Sequence, residues 1–194
     1  MNASDENGAI ANFHGNNTSV MKTLVITSHP YPDQSRVIKA LQETAGELSD
    51  VAVRNLESLY GQNLSGFDLA AEQKAHEAAE RIIYMFPIHW FNLTPMLKAY
   101  LNEVWTYGWA FGPQGQALQG KTMLVVVSTG ATQHTLSHQG LVQSTIEEVL
   151  TPMKASALYV GMSYLPPLAF HEALGASQQK IEGFQQRFAE TLAA

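Results

Sequence analysis

Apolar residues along the chain gather into short runs that alternate with amphipathic stretches. "KTLVITS" (22–28), "RIIYMFP" (81–87) and "KTMLVVVST" (121–129) are nearly continuous strand-formers, the pattern of strands covered on both faces. "DVAVRNL" (50–56) alternates apolar and polar positions, as a strand nearer a sheet edge does, and "SALYVGM" (156–162) predicts a fifth strand. The intervening stretches have helical spacing. Residues 35–48 put Val37, Ile38, Leu41, Ala45 and Leu48 on one face, and 70–80 is a run of strong helix-formers. In 94–105, Thr94 is placed as N-cap with Pro95 at the first helical position, and Leu97, Tyr100, Leu101 and Val104 face inward. Residues 141–153 and 177–192 predict the last two helices, the second with Ile181, Phe184, Phe188 and Leu192 on one face.

Strict strand–helix alternation predicts an α/β fold, a five-stranded parallel sheet with helices on both faces. Right-handed crossovers leave few arrangements, and the common doubly wound order for such a chain is 2-1-3-4-5. Its ligand crevice lies at the carboxyl ends of the strands, where the order reverses between the first and third. No repeat or linker interrupts residues 21–194, which read as one domain. Residues 1–20, "MNASDENGAIANFHGNNTSV", are rich in Asn, Gly and Ser without periodicity and read as a flexible extension.

Composition narrows the chemistry. The formal charge is −6 and the 11 Lys and Arg are scattered, which argues against a nucleic-acid partner. There is no cysteine, so disulfides and thiolate chemistry are excluded, in keeping with a reducing cytoplasm. No apolar stretch is long enough to span a bilayer, and the N-terminus lacks the pattern of a signal peptide.

Unusual residues collect where strands end: "SHPYPDQSR", "FPIHWFNLTP", "STGATQHTLSHQG" and "GMSYLPPLAFHEA". Five of the seven histidines (His29, His89, His134, His138, His171) fall in these segments, on one predicted rim of the sheet. The aromatics of 86–98 fit either core filling under a loop or a platform for a flat ligand. Ser35 and Arg36 stand where the first helix begins: Ser35 fits a helix cap, and the pair also suits an anion held at a helix N-terminus. "STGA" is a tight turn in which Gly130 permits close backbone approach. His134 and His138 have the spacing of two metal ligands on a helical turn, but no Asp or Glu lies in 114–146, which argues against a metal. No Gly-x-Ser-x-Gly elbow supports a hydrolase, and no Gly-rich fingerprint supports a dinucleotide-binding Rossmann fold.

Taken in order, "HPYPDQS", "DLAAEQ", "FPIHWFNLTPMLKAYLNEV", "YGWAFG", "STGA" and "YLPPLAFH" resemble the NAD(P)H:quinone oxidoreductases, a flavodoxin-like family that includes DT-diaphorase and the ancillary subunits of potassium efflux systems. The resemblance covers about residues 22–190 and is most specific over 86–104. It implies a flavin on the loop of Pro87, Ile88, His89, Trp90 and Phe91, with backbone groups of 88–91 at the N5 and O4 edge and the two large aromatics as a wall. Ser128, Thr129, Gly130 and Ala131 would hold the N1 and O2 edge, and His29, Ser35, Arg36 and Val37 the phosphate end. Trp109 and Phe111 would reach across a homodimer to line the partner's substrate pocket.

The implied reaction is a ping-pong transfer of two electrons from NAD(P)H through flavin to a quinone, in the cytoplasm. FMN is favoured over FAD because the second strand is followed by no insertion that would hold an adenosine. The alternative is a flavin-bearing regulatory subunit docked on a potassium efflux transporter. The chain departs from the family in three places. Ala131 stands where a second glycine is frequent, Arg36 where some members have asparagine, and Leu136 where DT-diaphorase-like members have a tyrosine serving the O2 edge. His134 or His138 would then supply that proton or positive field.

Overall fold

The structure, a computed structural model, describes residues 22–194, so the predicted extension lies outside the described residues. Five strands stand in the order β2–β1–β3–β4–β5: β1 (Thr23–Thr27), β2 (Val51–Asn55), β3 (Arg81–Pro87), β4 (Thr122–Ser128) and β5 (Ser163–Tyr164). A further strand, β6 (Leu168–Phe170), also pairs with β4. All pairings are parallel, and β3 and β4 match rung for rung from Arg81 opposite Thr122 to Pro87 opposite Ser128.

Alternation along the central strands divides the core into two layers. Leu24, Ile26, Ile82, Tyr84, Phe86, Met123, Val125 and Val127 face one side. There they meet α4 (Pro95–Val104) and α6 (Thr151–Tyr159) through Leu97, Tyr100, Leu101, Met153 and Ala157. Val25, Ile83, Met85, Leu124 and Val126 face the other, against α1 (Val37–Gly46) and α7 (Gln178–Ala193). The predicted apolar faces of α1, α4 and α7 are buried, except that Leu48 lies beyond the end of α1 and is exposed. Thr94 caps α4 by accepting from the Leu97 N–H at 3.2 Å, and Ser177 caps α7 through the Lys180 N–H.

Two predicted elements need correction. Residues 156–162 are not a strand: 156–159 close α6 and the rest is turn. Pro152 at the start of that helix favours it, and a short apolar run is ambiguous between helix and buried strand. The sheet position is filled instead by β5 and β6, interrupted by Pro166 and Pro167, which cannot donate to a ladder. The helix predicted over 141–153 is replaced by turns, the short α5 (Ile146–Val149) and the first residues of α6. The sequence reading also missed α2 (Leu56–Tyr60), a single turn capped by Asn55. The helix predicted at 70–80 is α3 (Leu69–Glu77).

α3 is fastened by a buried carboxylate. Glu72 is fully buried and accepts from Arg54 Nε at 2.8 Å, from Arg54 Nη2 at 2.5 Å, from the Tyr60 hydroxyl and from the Tyr100 hydroxyl at 2.7 Å. Burial pushes its pKa up, but the hydrogen bonds from Arg54, Tyr60 and Tyr100 outweigh that and leave it below the ordinary value. One carboxylate thus joins β2, α2, α3 and α4.

Candidate functional site

The strand order brings the carboxyl ends of β1, β3 and β4 together around a cleft of about 280 Å³. The β1–α1 loop and the first residue of α1 contribute His29, Tyr31, Gln34, Arg36 and Val37; the end of β3 and the turn after it contribute Pro87, Ile88 and His89; the end of β4 and the turn after it contribute Ser128, Thr129 and Gly130. Nine of the residues singled out from the sequence therefore line one cleft. Ser35 lines an adjoining cavity of about 690 Å³ along α1, which shares His29 and Arg36 with the cleft.

Each wall leaves polar groups free. Helix α1 begins with Arg36 at the N-cap position and no side-chain cap, so Ser35 does not do that work. The first backbone bond into the helix runs from Ala40 N–H to the Arg36 carbonyl, leaving the N–H groups of Val37, Ile38 and Lys39 without partners among the described residues. The Gly130 N–H likewise has no partner among the described residues, and the turn is closed on either side by Thr129 N–H to Phe170 O at 2.9 Å and Ala131 N–H to Thr129 Oγ1 at 3.1 Å. A Cβ at Gly130 would meet Leu174 at 3.4 Å, an ordinary contact, so space alone does not demand a glycine at this position.

The β3–α4 loop differs in detail from the expectation. The Ile88 N–H is committed to the Ser128 carbonyl at 2.8 Å, continuing the β3–β4 ladder, and is not available to a ligand. Residues 89–92 then turn back on themselves, with Asn92 N–H on the His89 carbonyl. Trp90 and Phe91 occupy the left-handed region, at φ 48° and 60°, and their N–H groups have no partner among the described residues. Trp90 is 93% exposed and Phe91 47%; neither lines the cleft of this chain. Large non-glycine residues in this conformation cost about 1–2 kcal/mol each.

Histidines inside the cleft are His29 and His89, whose rings meet edge to face at 6.1 Å. The Tyr31 N–H donates to His29 Nδ1, so neutral His29 carries its proton on Nε2. Burial, and then the neighbouring His89, hold its pKa below the ordinary value. His134 and His138 do not line the cleft. His138 Nε2 pairs with Glu148 Oε2 at 2.9 Å, and Glu148 also closes a capping box with Thr145. His134 is exposed, and its carbonyl accepts from Ser137 Oγ. The 129–145 loop is instead organised around buried Leu136 and Gly140, where a Cβ would lie 1.8 Å from the His134 carbonyl oxygen. Among the described residues, no group of three or more His, Cys, Asp or Glu is placed to hold a metal.

Trp109 and Phe111 stand away from the cleft. Trp109 Nε1 donates to Glu77 Oε1 at 2.7 Å, and Phe111 lines a groove of about 610 Å³ with Leu101, Trp105 and Tyr159.

The wall that sequence reading missed is Ala173, Leu174 and Gly175, between β6 and α7. Ala173 N–H binds the Thr129 carbonyl at 2.9 Å and Glu172 N–H the Ala131 carbonyl at 3.2 Å, fastening this segment to the β4 turn. Glu172 is left-handed at φ 59°, and its contact with Lys180, 3.4 Å between half-exposed side chains, contributes little. Glu172→Gly is therefore expected to raise stability by about 0.5–1 kcal/mol in urea unfolding, the relieved strain less the added freedom of the unfolded chain.

Comparison with known proteins agrees with this geometry. The family model described as flavodoxin-like fold matches residues 21–192. The glutathione-regulated potassium-efflux system ancillary protein KefF of Salmonella newport (strain SL254) is 36% identical over 175 residues, covering 88% of this chain and 95% of the relative. The structure of general stress protein 14 from Treponema denticola in complex with FMN superposes with a TM-score of 0.83 at 38% identity, covering 88% of this chain and 97% of the other. An NADPH-quinone reductase from P. pentosaceus superposes with a TM-score of 0.80 at 29% identity, covering 90% and 98%. On sheet order, cleft and sequence together, this chain belongs to the flavodoxin-like fold family, alongside NADPH-quinone reductases and the potassium-efflux ancillary proteins.

Proposed function

We propose that the chain is a flavin-dependent NAD(P)H:quinone oxidoreductase that binds FMN in the cleft between β1, β3 and β4. The observation that carries the proposal is the convergence on one cleft of an uncapped helix N-terminus, Arg36 and His29 on one side with the free N–H of Gly130 on the other. These donors suit a phosphate at one end and the polar edges of a flat ring at the other. When bound, FMN supplies the chemistry, accepting a hydride from NAD(P)H and passing two electrons to a quinone, which takes up protons to become the hydroquinone. Arg36 and the first turn of α1 hold the phosphate. The backbone of 128–131 holds the ring edge where negative charge develops on reduction, with Gly130 N–H as the donor. The 89–92 turn presents its two free N–H groups to the opposite edge and offers Trp90 and Phe91 as apolar cover. Tyr107, Tyr159 and Trp90 are exposed large aromatics, a costly surface for a monomer, which supports a homodimer in which Phe111 meets the partner's acceptor site.

FMN is favoured because the Treponema relative is described in complex with it. FAD would set its adenylate in the adjoining cavity along α1, so the nucleotide released on denaturation discriminates the two. Similarity to KefF along nearly its whole length supports a second reading, an ancillary subunit docked on a potassium efflux transporter, which co-purification with membranes tests. For the enzyme, FMN-loaded protein is expected to bleach under anaerobic NAD(P)H and to recover its yellow colour when quinone is added. Failure to bind added FMN at micromolar concentration would overturn the proposal.

A further inference from the structure

The "YGWAFG" loop carries three large aromatics, and the structure holds them in different ways. Tyr107 is 70% exposed and lies over Gly112, where a Cβ would come within 2.6 Å of its ring. It meets Phe111 edge to face at 5.8 Å. Trp109 turns back toward its own α3. Its indole N–H donates to the Glu77 carboxylate at 2.7 Å, and its ring meets the His76 imidazole edge-on at 5.9 Å and 87°.

His76 is itself fixed. Its Nδ1 lies 2.8 Å from the Glu72 carbonyl, which can only accept, so Nδ1 carries the proton. Burial lowers its pKa to about 4, which leaves the ring neutral and Nε2 free to accept from the Tyr84 hydroxyl at 3.0 Å. The ring also stacks on Tyr100 at 6.0 Å. One turn earlier, Gln73 Nε2 donates to the Val104 carbonyl and to Thr106 Oγ1, both at 3.0 Å. Gln73, His76 and Glu77 are spaced i, i+3 and i+4, so a single stripe of α3 grips the loop from 104 to 109.

We propose that this stripe positions the aromatic loop: Gln73, His76 and Glu77 pin Trp109 in its own subunit, so that Phe111 and Tyr107 stand at a fixed place in the acceptor pocket. The inference rests on the reading that this loop walls that pocket. Glu77 is exposed and Trp109 only partly buried, so their hydrogen bond adds little to global stability. Its consequence is placement, and placement is separable from folding by experiment.

The test uses FMN-loaded protein carrying Glu77→Ala, Trp109→Phe, both together, or Glu77→Gln. Glu77→Ala and Trp109→Phe should each raise the acceptor KM about 5- to 10-fold, the scale of one charge-assisted hydrogen bond. The double variant should be no worse than the worse single. Glu77→Gln, which keeps an acceptor oxygen, should return within about twofold of the parent. Flavin content should stay at the parental value in Glu77→Ala. In flavin-free protein, the Trp109 emission, isolated by subtracting the Trp109→Phe spectrum, should shift to the red in Glu77→Ala. An unmoved acceptor KM and emission in Glu77→Ala, or additive effects in the double variant, would overturn the positioning role while leaving the pocket assignment intact if Trp109→Phe still acts. An acceptor KM unmoved by both Trp109→Phe and Phe111→Ala would remove the pocket assignment and the proposal with it.

Discussion

Replacing Glu72 by alanine is expected to cost the fold about 3 kcal/mol, seen as a large fall in the urea midpoint of the flavin-free protein. The side chain is fully buried and serves Arg54, Tyr60 and Tyr100 at once, so its loss leaves a guanidinium, the half-buried Tyr60 hydroxyl and the buried Tyr100 hydroxyl without their acceptor. The estimate sits at the lower end for a broken buried pair because a quarter of the Arg54 side chain reaches solvent and can be rehydrated. The same cluster predicts acid lability with a definite sign. His76 has a folded pKa of about 4, below the unfolded value of 6.5. The unfolded chain therefore takes up a proton first, and stability drains as pH falls from about 6.5 toward 4. Glu72, also depressed, adds a further loss as pH falls below 4.5, its ordinary value. A stability profile flat from pH 7 to pH 4 would contradict both assignments.

Arg36→Ala is expected to weaken FMN binding about 10- to 100-fold while leaving riboflavin binding within twofold, because only FMN carries the phosphate. Arg36 lines both the cleft and the adjoining cavity and sits at the uncapped end of α1, where its charge and the free N–H groups would act on the same anion. The difference between the two ligands is the decisive measurement. Equal losses for FMN and riboflavin would place Arg36 at the ring instead, and no loss for either would remove the phosphate from this helix. Weakening salt dependence of FMN binding in the variant gives an independent check.

The sheet was legible because its central strands carry continuous apolar runs and its helices carry clean stripes; Ile82 and Ile83 face opposite layers, as period two requires. Legibility failed where local pattern is ambiguous or overridden. Residues 156–162 have the composition of a strand, yet the helix begun at Pro152 runs into them and the strand is displaced onto a segment broken by two prolines. In the site, residues next to strand ends were found because strand order alone fixes their rim. The wall at 173–175 follows from the register of a three-residue strand and a left-handed Glu172, and neither has a sequence signature. The exposure of Trp90, the prior commitment of the Ile88 N–H and the capture of Trp109 by Glu77 depend on tertiary contacts between distant segments. His29 and His89, both named for the cofactor, line the cleft, whereas His134 and His138, brought in because Leu136 stands where relatives have a tyrosine, do not.

The tip formed by Trp90 and Phe91 sets a hazard for anyone improving this protein by selection. Its backbone is one that asparagine and glycine adopt with ease, so a library screened for heat resistance alone would be rewarded for replacing both aromatics. Winners of such a screen would be sturdier proteins that had traded away the two aromatics proposed to cover the ligand. Colour and melting temperature would then diverge from one round to the next. A campaign that sorts on retained flavin before it sorts on heat would hold the tip in place and push improvement toward sites such as Glu172, where relief of strain touches no exposed aromatic.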